Sequence, residues 1–128
     1  MRKIVLALLA IGVSVVSSGE LRYSSQYQHC LDHSGGVTSD MRACNGQELA
    51  YQDRLLNRNY KKAIRVLNRE KKKELKTVQR LWIEYRDAKC GFEYGLTGGT
   101  MDLANGDGCL VDMTAERAEE LAVIVDTL

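Results

Sequence analysis

Four cysteines, Cys30, Cys44, Cys90 and Cys109, are the strongest constraint on what this chain can fold into. An even number in a small exported domain reads as two disulfides, whereas in a reducing compartment the same residues would read as metal ligands or catalytic thiols. The N-terminus decides between these settings. Arg2 and Lys3 give a basic start, residues 4–16 are apolar apart from Gly12 and Ser14, and the small residues Ser17, Ser18 and Gly19 follow. That order is the pattern of a signal peptide, here residues 1–19. The apolar run falls short of the ~20 residues that span a bilayer. Residues 20–128 are therefore expected to form one periplasmic or secreted domain, with no membrane span once the leader is cleaved.

The complete absence of proline permits long helices. Thr38, Ser39 and Asp40 offer capping side chains ahead of a helical pattern that begins at Met41. Leu49, Leu56, Tyr60, Ile64 and Leu67 then recur at helical intervals, and a second stripe runs Leu75, Val78, Trp82, Tyr85. The wholly polar residues 68–73 between them predict a turn near residues 69 and 70, and so an antiparallel helical hairpin. In that register, positions summing to about 139 lie level, which places Asp53 opposite Arg86. Asp53 falls on the apolar stripe, where an unpaired carboxylate is costly, so a buried or half-buried Asp53–Arg86 ion pair is expected.

Three disulfide pairings are open, and the register favours the local one, Cys30–Cys44 with Cys90–Cys109. Cys44 lies level with residue 95, so a Cys44–Cys90 bond would have to cover an offset of about 7 Å along the helix. Each local loop is of the size for which chain entropy gives about 3 kcal/mol. A metal site is not expected: there is no C-x-x-C pair, and Cys30 with His33 lacks a second ligand pair. Residues 91–108 hold six glycines and read as a loop. With no G-K-[ST] and no flanking strand, it is not a phosphate cradle. Thr114 then caps a short C-terminal helix with Leu121, Ile124, Val125 and Leu128 on its apolar face. The predicted fold is all-α: an antiparallel helical hairpin plus a short C-terminal helix, closed by two disulfides.

Several of these residues fall into a recognisable pattern. Leu56-Asn57-x-x-Tyr60 is followed by Gln79-Arg80-x-Trp82-Ile83-x-Tyr85-Arg86-Asp87-x-x-Cys90, the most specific stretch. Gly98-Gly99-Thr100, Cys109 and Thr114-x-x-Arg117-x-x-x-Leu121 come next, with Cys30 and Met41-x-x-Cys44 upstream. Over essentially the whole mature chain this resembles the lysozyme-inhibitor LprI-like N-terminal domain family, a group of exported bacterial domains. The resemblance implies inhibition of lysozyme. One departure stands out: where the family has a small connection between the two long helices, this chain has a lysine-rich one.

Charge is segregated along the chain. Residues 20–53 carry 2 basic and 5 acidic side chains, net −3; residues 54–89 carry 13 and 4, net +9; residues 93–128 carry 1 and 8, net −7. The hairpin tip, including Lys71, Lys72 and Lys73, is thus basic. The cysteine end, with Asp102, Asp107, Asp112 and Glu116, is acidic. Field complementarity assigns the acidic end to lysozyme or another peptidoglycan hydrolase, since lysozymes are usually basic. The basic tip suits anionic envelope components instead. Nucleic acid fits neither the compartment nor the scarcity of stacking aromatics. An enzyme is not expected: the only histidines, His29 and His33, sit in a polar N-terminal segment, as do the mature-chain serines Ser24, Ser25, Ser34 and Ser39. No cofactor is implied.

Overall fold

The computed structural model describes residues 22–128, and the expected leader, residues 1–19, lies outside them. The described residues form four helices: α1 (Ser25–His33), α2 (Thr38–Val66), α3 (Arg69–Glu93) and α4 (Met101–Thr127). Both expected disulfides are present, Cys30–Cys44 with Cα atoms 5.7 Å apart and Cys90–Cys109 with Cα atoms 5.5 Å apart.

The C-terminal helix is far longer than the sequence pattern indicates. It begins at Met101, not Thr114, and takes in Gly106 and Gly108. Thr114 is fully buried in its middle and caps nothing. The glycine tract shrinks to a short connection between α3 and α4. Gly106 is required by packing, because a Cβ there would lie 2.4 Å from the ring of Tyr94. The start of α2 also moves: it opens at Thr38 behind Val37, which supplies no side-chain cap. The turn between α2 and α3 is only Leu67 and Asn68. The Asn68 side chain accepts the Lys71 N–H at 2.9 Å, and residues 69–73 are already helical.

The long C-terminal helix changes how the hairpin packs. The backbones of α2 and α3 rarely approach each other, and each helix packs on α4. α2 and α4 run parallel with a constant offset. Asn45 Nδ2 donates to the Ala104 carbonyl at 3.2 Å and Asn59 Nδ2 to the Ala118 carbonyl at 2.8 Å, both across 59 residues. Two heptads, about 21 Å of helix, are therefore in register. The α4 residues facing α2 are small (Ala104, Val111, Ala115 and Ala118 are all buried), which lets the two backbones approach. Toward the hairpin tip the core is apolar: Leu56, Ala63, Leu75, Ala118 and Leu121, flanked by Tyr60, Ile64, Trp82 and Ile124. Toward the cysteines it becomes polar, with Glu48, Gln52, Asn45 and Arg117 buried.

Two sequence assignments on α3 are corrected by this packing. Val78 and Tyr85 are 48% and 61% exposed, and the inward face is Leu75, Gln79, Trp82, Arg86 and Cys90. The Asp53–Arg86 ion pair does not form. With the turn centred between Leu67 and Asn68, level positions sum to about 135, which moves Asp53 from opposite Arg86 to opposite Trp82. Arg86 instead pairs with Asp87 at 3.0 Å and donates to the Thr114 hydroxyl at 3.4 Å.

The two α4 glycines should respond to alanine in opposite ways. Gly106→Ala drives a methyl into the Tyr94 ring and should cost about 1–3 kcal/mol, as overpacking does. Gly108→Ala meets nothing within 4 Å and should be neutral or stabilising by up to about 1 kcal/mol. Urea unfolding of the two variants checks both signs.

Candidate functional site

The cysteine end is assembled from all four helices, largely through polar bonds. α1 has no buried residue of its own. It is held on α2 by Cys30–Cys44, by Tyr27 Oη donating to Asn45 Oδ1 at 2.6 Å, and by Glu48. The Glu48 carboxylate accepts the N–H and the hydroxyl of Ser24, the residue that precedes α1, so an anion on α2 caps the start of α1.

Beside this junction lies a groove of about 690 Å³. Tyr27, Leu31 and Met41 form one wall, and Phe92, Leu96 and Met101 form the other. The α4 side chains Asp112, Met113 and Glu116 run along it. Phe92 and Leu96 are 68% and 58% exposed. They continue an apolar stripe down the outer face of α3 through Tyr85, Leu81 and Val78, all exposed.

The four carboxylates expected at this end divide into two pairs. Asp102 is 3% exposed and works inward. Its Oδ2 accepts the backbone N–H groups of Thr97 and Gly98, both at 2.8 Å, and its Oδ1 accepts the Thr97 hydroxyl at 2.7 Å. These bonds, the Thr97 hydroxyl foremost, hold its carboxyl below the usual carboxylate range. Gly98, at φ 80°, supplies the left-handed backbone this turn needs. Asp107 is also committed. It pairs with Arg42 of α2 at 2.7 Å and accepts the Tyr94 hydroxyl, joining α2, α4 and the end of α3. Burial, and then this bond to Asp107, pushes the Tyr94 phenol up to about 12.

Asp112 and Glu116 are the outward pair. They are exposed, one helical turn apart, and both line the groove. Asp112 accepts the Tyr23 hydroxyl at 2.7 Å and has no cation within bonding distance among the described residues. Glu116 has no hydrogen-bond or ion-pair partner among them. Glu119 and Glu120 on the same helix are taken up by Arg22 and Arg117. At the opposite end Lys71 pairs with Glu74, while Lys72 and Lys73 have no acidic partner among the described residues.

Sequence reasoning thus found the acidic end but missed the apolar half of the groove. Phe92, Leu96 and Met101 were hidden in a tract dominated by glycine. The heptad-like spacing of Val78, Leu81, Tyr85 and Phe92 was the available signal. His29 and His33 lie against each other on α1, ring centres 4.1 Å apart, with His33 Nδ1 bonded to the His29 carbonyl. Ser24 and Ser34 spend their hydroxyls on Glu48 and on the Leu31 carbonyl. No group of three or more His, Cys, Asp or Glu side chains among the described residues is placed to hold a metal ion. No helix among them is long and apolar enough to cross a membrane.

A protein-family profile described as "Lysozyme inhibitor LprI" matches residues 30–121. A curated protein of Rhizobium meliloti (strain 1021), named only as an uncharacterized protein, is 30% identical over 104 residues, covering 69% of this chain and 73% of the relative. No solved structure gives a significant match.

Asp102 gives a test of how the groove wall is held. Asp102→Asn should melt lower than the native chain at neutral pH. A carboxyl whose folded pKa is depressed stabilises above its ordinary pKa, and that contribution is lost as pH falls through the folded value. The two melting temperatures should therefore converge in acid, as thermal melts from about pH 7 to about pH 2 will show.

Proposed function

The chain belongs to the LprI lysozyme-inhibitor family, and from that premise we propose that it is an exported, non-enzymatic protein that binds a peptidoglycan hydrolase of the lysozyme type through the groove at the cysteine end. The observation that carries this reading is the pairing, in one groove, of uncovered apolar side chains with two carboxylates, Asp112 and Glu116, that make no ion pair among the described residues, Lys89 in the same groove being paired with Glu93. Phe92 and Leu96 supply desolvation energy, and large aromatic side chains are the usual anchors of such interfaces. Asp112 and Glu116 supply a negative field matched to a basic enzyme, which speeds encounter and fixes orientation. The two disulfides fit an oxidising compartment. The hydroxyls of Ser24 and Ser34 and Nδ1 of His33 are engaged internally, which supports binding over catalysis.

The oxidised protein should inhibit a basic lysozyme, more strongly at low salt than at physiological salt. Phe92→Ala should weaken inhibition by about tenfold or more. The double reversal Asp112→Lys with Glu116→Lys should weaken it further and flatten the salt dependence. Activity assays against several lysozymes decide the matter, and absence of inhibition at micromolar protein sinks it.

A second surface has its own observation. Lys61, Lys62, Arg65, Arg69, Lys73 and Lys76 crowd the exposed hairpin tip with no acidic partner among the described residues. This supports docking of the tip on an anionic envelope surface. Each removed cation should lower affinity for acidic phospholipid by about 1 kcal/mol. Sedimentation with anionic vesicles should therefore fall sharply for the triple variant Lys71→Glu, Lys72→Glu, Lys73→Glu, and unchanged sedimentation would rule this surface out.

A further inference from the structure

Because α4 fills only one side of the hairpin, a second cleft of about 760 Å³ stays open between α2 and α3. Its volume lies within the range of small-molecule sites, roughly 300–1,000 Å³. Tyr60 and Trp82, both half-buried, form its apolar surface, and the Arg86 guanidinium carbon stands 5.1 Å from the Trp82 ring centre.

Two polar groups in this cleft are left unmatched by the protein. Gln79 is 7% exposed, and its Oε1 accepts the Arg117 Nε–H at 2.9 Å. That bond fixes the amide orientation, so the NH2 group is turned away from Arg117 and finds no acceptor among the described residues. Asp53 is half-buried with neither a hydrogen-bond donor nor a cation at bonding distance among them. Burial raises its carboxyl above the usual range, against the pull of Arg86. Neither group is among the polar atoms sealed from water, so each is open to a ligand group that takes the place of water. Lys76 and Arg80 add positive charge at the rim, opposed by Glu84.

We propose that the α2–α3 cleft binds a short oligosaccharide that carries a carboxylate. Arg86 lies over the Trp82 ring, so a sugar packs its C–H face on the part of Trp82 left uncovered and on Tyr60. Its hydroxyls both donate and accept, as the Asp53 carboxyl and the Gln79 and Asn57 amides together require. A purely apolar ligand would strand Asp53 and Gln79, and a bare anion would meet the Asp53 carboxylate with nothing for the indole face. The carboxylate on the sugar is read by Lys76 and Arg80. This site is separate from the groove at the cysteine end, and its occupancy does not depend on what that groove binds.

Trp82 is the only tryptophan of the chain, so its emission reports the cleft directly. The oxidised full chain is titrated with an oligogalacturonate, with a neutral chito-oligosaccharide of equal length and with inorganic phosphate, following Trp82 emission and heat. The oligogalacturonate should shift the emission saturably. The neutral sugar should bind about tenfold more weakly, and phosphate should leave the emission unmoved. Asp53→Ala and Arg80→Ala should each weaken binding about tenfold with unchanged circular dichroism, and Phe92→Ala should not affect it. The proposal is overturned if neither sugar shifts the emission at millimolar concentration, if phosphate alone reproduces the shift, if the neutral sugar binds equally well, or if both cleft variants bind like the native chain.

Discussion

Close approach of α2 and α4 is the constraint on which the rest of the molecule depends. It is made possible by small side chains, Ala104, Ala115 and Ala118, along one face of α4. It is locked by two asparagines of α2 that donate to α4 carbonyls two heptads apart. Such donors find carbonyls already engaged within their own helix, so the clamps add register more than strength. Once α2 is committed to α4, α3 packs on α4 as well, and the hairpin turn at Leu67 and Asn68 joins two helices whose backbones stay apart and whose side chains meet in the core at the tip. The cleft on one side and the groove at the other end are both consequences of that arrangement.

The interior follows a gradient. At the tip it is aliphatic, and burial of Leu56, Leu75 and Leu121 supplies the usual driving force. Halfway along, Gln52, Gln79, Thr114 and Arg117 take over. Their bonds tie separate segments together: Gln52 Nε2 of α2 to the Arg22 carbonyl ahead of α1 at 2.9 Å, Arg117 of α4 to Gln79 of α3 at 2.9 Å. Polar groups of this kind tolerate few alternative alignments, because every slip strands a donor or an acceptor. The apolar half stabilises the bundle and the polar half selects its register, while the disulfides secure the end where hydrophobic burial is thinnest.

What could be read from the sequence and what could not have separate physical causes. The all-helical class, the position of the turn to within a few residues and the local cysteine pairing follow from periodicity and spacing, which are local properties. The N-terminal half of α4 was hidden because its glycines signal loops in solvent, whereas Gly106 answers to the Tyr94 ring that lies over it. The side of α3 that faces inward was misjudged because Val78 and Tyr85 share a helical period with Leu75 and Trp82. Only the partner decides between overlapping stripes, and the partner was α4, not α2. The Asp53–Arg86 pair failed for a related reason: a turn two residues earlier shifts every level position by about four. Of the acidic end, the charge was legible in composition, but the division into inward Asp102 and Asp107 and outward Asp112 and Glu116 depends on the path of the chain through residues 94–100.

The placement of the two cross-links also shapes the denatured ensemble. Each disulfide closes a short stretch, of sequence separation 14 and 19, and the span between Cys44 and Cys90 that holds most of α2 and α3 belongs to neither. The oxidised unfolded chain is therefore two small tethered lobes on a free tether, and the α2–α4 contacts across 59 residues must still be found by diffusion. Loop closure over that distance sets the entropic barrier to folding. Oxidation brings Cys109, and with it α4, close to the end of α3 before that search starts, so the cross-link shortens the search without completing it.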